Sequence, residues 1–237
     1  MEQADEGILV IIPAYNEEDT IADVISDITV EQPAIDILVV NDGSSDRTSR
    51  VVKEAGGVRL IEHTFNMGVG AAVQTGYRYA VKHGYSVAVQ VDADGQHLAS
   101  ELYKIIEPVL SGSADVVVGS RFLGHGDYKA SVVRGVGIGF FASVVSTIIG
   151  RRITDPSSGF RATGRRALFF LSEIYPEDYP EVEALVLLHK KGLRIEEVPV
   201  TMAPRQGGKS SITTSRGIYY MVKVLLAIFV DLLKKIK

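Results

Sequence analysis

The chain has no cysteine and no tryptophan among its 237 residues. Without a thiol there is no disulfide framework, no thiolate metal site, no iron–sulfur cluster and no cysteine nucleophile. An excess of positive charge is also missing: the formal net charge is −4, which argues against a nucleic-acid partner. Long apolar runs are absent as well. The longest uncharged stretch, Gly135–Gly150, has sixteen residues. A bilayer span needs about 20, so no transmembrane helix is expected. Met1–Gly7 is acidic and Ile8–Ile12 is too short for a signal-peptide core, so no leader is expected.

What is present fits one ordinary domain with a small appendage: 46% hydrophobic and 23% charged residues. The charge is uneven. From Met202 onward Arg205, Lys209, Arg216, Lys223, Lys234, Lys235 and Lys237 face only Asp231, a local net charge of +6. That asymmetry points to an anionic partner for the C-terminal end, such as a membrane surface.

Short apolar runs alternate with helical patterns through the first half. Ile8–Ile12, Ile35–Val40, Val58–Ile61, Val87–Val91 and Val116–Val118 read as buried strands. Glu17–Thr29, Asp46–Ala55, Gly70–His83 and Ala99–Leu110 read as the helices between them. This alternation predicts an α/β fold with a mostly parallel sheet and helices on both faces. In the second half Ser131–Ile149 reads as a long apolar helix, Gly164–Leu171 and Glu181–Lys190 as shorter ones, and Arg194–Val200 as a strand. Pro204–Ser211 is a Gly-rich loop, and Ile212–Lys237 reads as an amphipathic helix with a basic end. The domain division follows: 1–211 as the main domain and 212–237 as a C-terminal helix.

Polar clusters follow three of the strands directly: Pro13–Glu18, Asn41–Asp46 and Asp92–His97. Right-handed crossovers put the strand C-terminal ends on one edge, where such sheets bind ligands. Each cluster has a plainer reading, and Asp46 in particular serves as a helix cap. Asp92 and Asp94 are two apart at a strand end and project to one side. Paired carboxylates repel unless a cation lies between them, and hard oxygen ligands suit Mg²⁺ or Mn²⁺. Gln96 or His97 would complete the shell; the plainer alternative is a solvated Asp–Asp turn. Gly68–Val73 resembles a dinucleotide fingerprint but has Val in the third Gly position and follows the third strand, not the first. Gly207–Ser210 resembles the end of a phosphate-binding loop, but Ala203 stands where the earlier Gly is required.

Taken together, Val10–Glu18, Val39–Thr48, Asn66–Ala72 and Asp92–His97 resemble the family 2 inverting glycosyltransferases of GT-A fold. Gly119–Phe122, Thr154–Arg161 and Arg205–Ser210 make the chain most similar, within that family, to the dolichyl- and polyprenyl-phosphate sugar transferases. The resemblance implies transfer of a hexose from a nucleotide diphosphate sugar to a polyprenyl phosphate. It implies that Pro13, Ala14, Tyr15 and Glu17 line the nucleoside pocket and that Asp42 meets the base or ribose. Asp92, Asp94 and Gln96 would hold the metal, with Asp92 and Arg205 on the donor diphosphate. Arg121 and Arg134 would receive the acceptor phosphate. Asp155 is a general base, as for hydroxyl acceptors, an orienter of the acceptor, or part of a structural turn with Pro156; Asp94 and Asp155 are thus the catalytic candidates.

Physical chemistry points the same way. A departing diphosphate gains negative charge, which a divalent cation and a guanidinium stabilise, and the Gly207–Gly208 pair lets the loop close over the donor. His63, His83, His125 and His189 show no metal-ligand spacing and read as incidental. Tyr175, Tyr179, Tyr219 and Tyr220 read as packing residues. Gly135–Gly150 and Gly217–Leu233 are compatible with helices lying on a membrane surface, or with core or homo-oligomer contacts. The expected place is the cytoplasm, peripheral at the inner membrane face. Two alternatives stand beside this reading: a transferase acting on a glycan or protein hydroxyl, and a non-catalytic sugar-nucleotide-binding scaffold.

Overall fold

A computed structural model describes residues 7–123, 132–176, 180–204 and 214–233. The Arg205 loop, His125, Tyr179 and the last four residues lie outside them. Seven strands form one sheet in the order β3-β2-β1-β4-β6-β5-β7. These are β1 Ile8–Ala14, β2 Asp36–Asn41, β3 Arg59–Glu62, β4 Val87–Gln90, β5 Val116–Ser120, β6 Arg161–Gly164 and β7 Ile195–Pro199. Strands β3, β2, β1 and β4 run parallel, as do β5 and β7, while β6 runs antiparallel to both its neighbours.

The continuous Val/Ile runs are explained by burial on both faces. Leu9 and Ile11 enter one core, and Val10 and Ile12 the other. The second core is covered by α1 (Ile21–Glu31), α2 (Thr48–Ala55) and α4 (Leu102–Leu110). The first is covered by α3 (Val69–Lys82), α5 (Val132–Ile149), α6 (Arg165–Glu173), α7 (Pro180–Lys190) and α8 (Thr214–Leu233). Helix α3 lies very close to β1. A Cβ on Gly76 would sit 2.4 Å from Ile11 Cγ2, so only glycine permits that approach. Along α7 the run Val182–Leu188 is buried throughout, because α5 and α8 cover the side that the sheet does not. Helix α8 joins the core through Val224 and Ile228. Among the described residues no helix is long and apolar enough to cross a membrane.

Strand β6 corrects the sequence reading, which passed from a loop to a helix at Gly164. Its four residues, Arg-Ala-Thr-Gly, form no apolar run, yet all are buried. Arg161 is tolerated there because its Nε donates to the Ser158 carbonyl (2.7 Å) and its second guanidinium nitrogen to Pro156 (2.8 Å).

Asp115 ties the far side of the sheet together. Its carboxylate accepts from the Arg194 backbone N–H at 2.8 Å and from Arg166 at 3.2 Å. Burial pushes this carboxyl up, but the Arg194 hydrogen bonds and the two guanidinium charges outweigh it and hold the group below the usual range. A depressed carboxyl contributes stability above the unfolded pKa and loses it as pH falls through the folded one. Asp115→Asn should therefore cost about 1–3 kcal/mol at pH 7. In urea unfolding, the gap from wild type should narrow as pH falls below the unperturbed value of about 3.9 and close once the folded carboxyl is protonated.

Candidate active site

The parallel strands bring all three polar clusters to one edge. Pro13 and Ala14, ending β1, lie in register with Val40 and Asn41, ending β2, and β4 flanks β1 on its other side. The first two clusters are knitted together. Asp42 N–H donates to the Ala14 carbonyl at 2.8 Å. Asn16, at a φ of 56°, accepts from Ser45 N–H at 2.8 Å and donates its own N–H to Ser44 Oγ at 2.9 Å. Glu17 N–H donates to Thr48 Oγ1 at 2.9 Å. The capping role of Asp46 is present too, its carboxylate accepting from Thr48 N–H at 2.9 Å. Tyr15 stands out from this scaffold, 46% exposed.

Asp42 is buried and engaged within the protein. It accepts from Met67 N–H (3.0 Å), Gly68 N–H (2.8 Å) and His63 Nδ1 (2.7 Å). His63 reads as incidental in sequence, but its other nitrogen reaches Thr75 Oγ1 at 3.0 Å, linking Asp42 to α3. Asp42 thus shapes the loop after β3. Gly43 lets that loop close, because a Cβ there would stand 2.5 Å from the Phe65 carbonyl carbon, at a φ of +69°.

The third cluster turns just past β4. Asp92 keeps a 40% exposed side chain at the edge. Asp94 is buried, and its Oδ1 accepts from Gln96 N–H at 3.1 Å. The Gln96 side-chain nitrogen points to the Ala203 carbonyl at 3.5 Å, while the Gln96 carbonyl accepts from Ala203 N–H at 2.9 Å. The metal-type turn is thereby clipped to the segment preceding Arg205. His97 is buried and stacked on Phe160, with ring centroids 4.7 Å apart. Its Nδ1 accepts from Asp92 N–H at 2.9 Å, so the proton of the neutral ring is on Nε2. Burial holds this imidazole below its ordinary pKa against the pull of Asp92 and Asp94.

Asp155 and Arg121 meet across 34 residues of sequence. Arg121 Nε and one terminal nitrogen each lie 2.7 Å from an Asp155 oxygen, a bidentate fork. Asp155 is 0% exposed, and Arg121 N–H adds a further bond at 3.2 Å. Ser157 joins the pair, and Glu197 holds the Asp155 and Thr154 N–H groups at 2.8 and 2.7 Å. Burial raises the Glu197 carboxyl, with those N–H bonds opposing. Arg121 frames the turn that carries Asp155 and Ser157. Arg134 lies in the first turn of α5; its side chain, like all of Arg205, is outside the described residues.

Among the described residues no group of three or more His, Asp or Glu is gathered to hold a metal alone. Asp92, open at the edge, and the buried Asp94 two residues on still supply hard oxygens that suit a divalent cation sharing its shell with diphosphate oxygens. Sequence reasoning missed Gln90 and Glu197, and it gave Gly159 and Arg161, inside the Thr154–Arg161 motif, no role of their own. A shallow cleft of about 490 Å³, lined by Gln32, Ile35, Tyr103 and Leu110 among others, lies away from the polar clusters and holds none of their residues.

A mostly parallel sheet with polar clusters at the strand C-terminal edge and an acidic pair beyond β4 is the arrangement of a ligand-binding α/β fold. The Glycosyl transferase family 2 model matches residues 9–170, and this chain belongs to that family. A UDP-N-acetylglucosamine–dolichyl-phosphate N-acetylglucosaminyltransferase of Methanococcus voltae is 35% identical, over 83% of this chain and 86% of that protein. A polyprenol monophosphomannose synthase of Mycolicibacterium smegmatis is 32% identical, over 91% of this chain and 84% of its own. In fold, the chain resembles glucosyl-3-phosphoglycerate synthase from Mycobacterium tuberculosis, solved with Mn²⁺, UDP and phosphoglyceric acid. That match has a TM-score of 0.73 and 19% identity, covering 96% of this chain and 79% of that one.

Proposed function

We propose that this glycosyltransferase moves a hexose from a nucleotide diphosphate sugar to a polyprenyl phosphate, inverting the anomeric carbon. The observation that carries the reading is the convergence of the β1, β2 and β4 clusters on one edge, with Asp92 open to solvent there. The names of the relatives supply the acceptor class. Pro13, Ala14, Tyr15 and Glu17 line the nucleoside side, and Asp42 serves it by fixing the adjoining loop. Asp92 and Asp94 would hold Mg²⁺ or Mn²⁺, which stabilises charge on the leaving diphosphate. Gln96 sets the turn and its link to residues 201–203, and Arg205 supplies a guanidinium to the diphosphate.

An acceptor phosphate oxygen attacks the anomeric carbon, the bond to the diphosphate breaks, and the nucleoside diphosphate leaves with the electron pair. The acceptor is anionic at neutral pH, so no base has to deprotonate it. That suits Asp155, whose oxygens both bind Arg121 in the interior. The pair frames the acceptor side, where Arg134 meets the phosphate. A hydroxyl acceptor would need Asp155 as base, and its 0% exposure counts against that alternative.

The C-terminal region 212–237 adds a surface for the lipid. Leu226, Phe229, Val230 and Leu233 are exposed at helical spacing on α8, and the chain beyond continues Lys-Lys-Ile-Lys. This supports peripheral contact with the inner membrane face; pairing with a second copy is the competing use of that stripe. The test is nucleoside diphosphate release across a panel of sugar nucleotides with divalent metal, with and without polyprenyl phosphate in detergent. Release that requires the lipid is expected. Release raised instead by a glycan or peptide would overturn the reading.

A further inference from the structure

Gln90 ends β4 in the middle of an apolar run, Val-Ala-Val-Gln-Val, and is 1% exposed. Its side-chain nitrogen lies 3.3 Å from Asp92 Oδ1. Its Oε1 is buried with no hydrogen-bond partner among the described residues. Turning the amide over would set its oxygen against a carboxylate oxygen, acceptor on acceptor, so the nitrogen faces Asp92. A buried unsatisfied acceptor costs about 1–3 kcal/mol. An apolar side chain would serve the sheet better, so the amide answers to Asp92.

Two further observations close around the same contact. A Cβ on Gly159 would stand 2.7 Å from Gln90 Nε2 and 3.0 and 3.2 Å from the two Asp92 oxygens. The 155–159 turn therefore passes directly over the pair, with room only for hydrogen. On the other side, His97 Nε2 lies 3.7 Å from Asp92 Oδ2. The uncharged Gln90 nitrogen thus orients the carboxylate without cancelling its charge, while His97 at 3.7 Å stands beyond hydrogen-bond reach of it.

We propose that Gln90 is a positioning residue whose amide N–H sets the plane of the Asp92 carboxylate and turns its remaining lone pairs toward a divalent cation at the sheet edge. Glycine at 159 is what allows that contact. The proposal rests on the reading of Asp92 as a metal ligand. Partners of this kind, one shell out from the metal, change metal affinity about 10–100-fold when removed.

The experiment is Mn²⁺ binding to the full chain, read from the electron paramagnetic resonance signal of free Mn²⁺, with UDP and then GDP present. Gln90→Met keeps length and apolar volume but loses the donor; Gln90→Leu is the second variant, of different shape. The expected result is Mn²⁺ affinity about tenfold weaker or more, with the melting temperature of the metal-free protein held or raised. Unchanged affinity in either folded variant would overturn the proposal. So would an affinity loss that only follows a fall in melting temperature, since that marks a packing role. Failure of the wild-type chain to bind Mn²⁺ with either nucleotide would overturn the metal reading of Asp92 itself, before any substitution is compared.

Discussion

Asp92→Asn is expected to lower turnover about 10²–10³-fold, the cost of losing one well-placed electrostatic group at a reaction centre. The melting temperature should stay near that of wild type. Asp92 is 40% exposed at the edge, Asn keeps an Oδ1 to accept from Gln90, and the bond to His97 comes from the Asp92 backbone N–H. Asn keeps the shape but removes the negative charge that a cation requires. Raising Mn²⁺ should restore part of the rate, because the remaining ligands bind the ion more weakly. Steady-state nucleoside diphosphate release against Mn²⁺ concentration checks this. A variant with wild-type turnover would remove Asp92 from the site.

The second large effect concerns folding. Asp155→Asn removes the carboxylate charge that the Arg121 guanidinium grips in an interior where Asp155 is 0% exposed. Breaking one side of a buried ion pair costs about 3–5 kcal/mol. For a chain of this size that is a fall in melting temperature of roughly 10 °C. Replacing both partners, as Arg121→Met with Asp155→Leu, should recover much of the loss, since two apolar groups carry no buried charge to compensate. A general base open to substrate would behave differently: Asp155→Asn would then cut turnover while the melting temperature stayed put. Calorimetry of the single and double variants separates the two roles.

The parts of this molecule legible from sequence share one property: they are local. Val-Ile runs buried on two faces announce β1, β2, β4 and β5, and a polar cluster after such a run must fall at the strand's C-terminal edge. That logic reaches Asp92, Asp94, Asp42 and the Pro13–Glu17 segment without any structure. It does not show what those groups bind within the protein. Asp42 presents the pattern of a ligand contact, yet its oxygens bind His63 and the 67–68 backbone, which only the β3 loop brings near. His63 itself shows nothing in its own neighbourhood to mark it.

Long-range partnerships were not legible. Arg121 and Asp155 sit in separate motifs, and only the antiparallel β6, inserted between β4 and β5, folds the 155–159 turn back over both Arg121 and Asp92. β6 escaped notice because it is four residues long and begins with a buried arginine, against the usual burial preference. The one local signal for Gln90 was an amide inside a buried strand, and its meaning depended on Gly159, which lies elsewhere in the chain.

The most direct measurement is the mass of the lipid itself after incubation of the full chain with sugar nucleotide, divalent metal and polyprenyl phosphate. The account predicts a polyprenyl phosphate heavier by one hexose residue. An unmodified lipid alongside continuing nucleoside diphosphate release would contradict it.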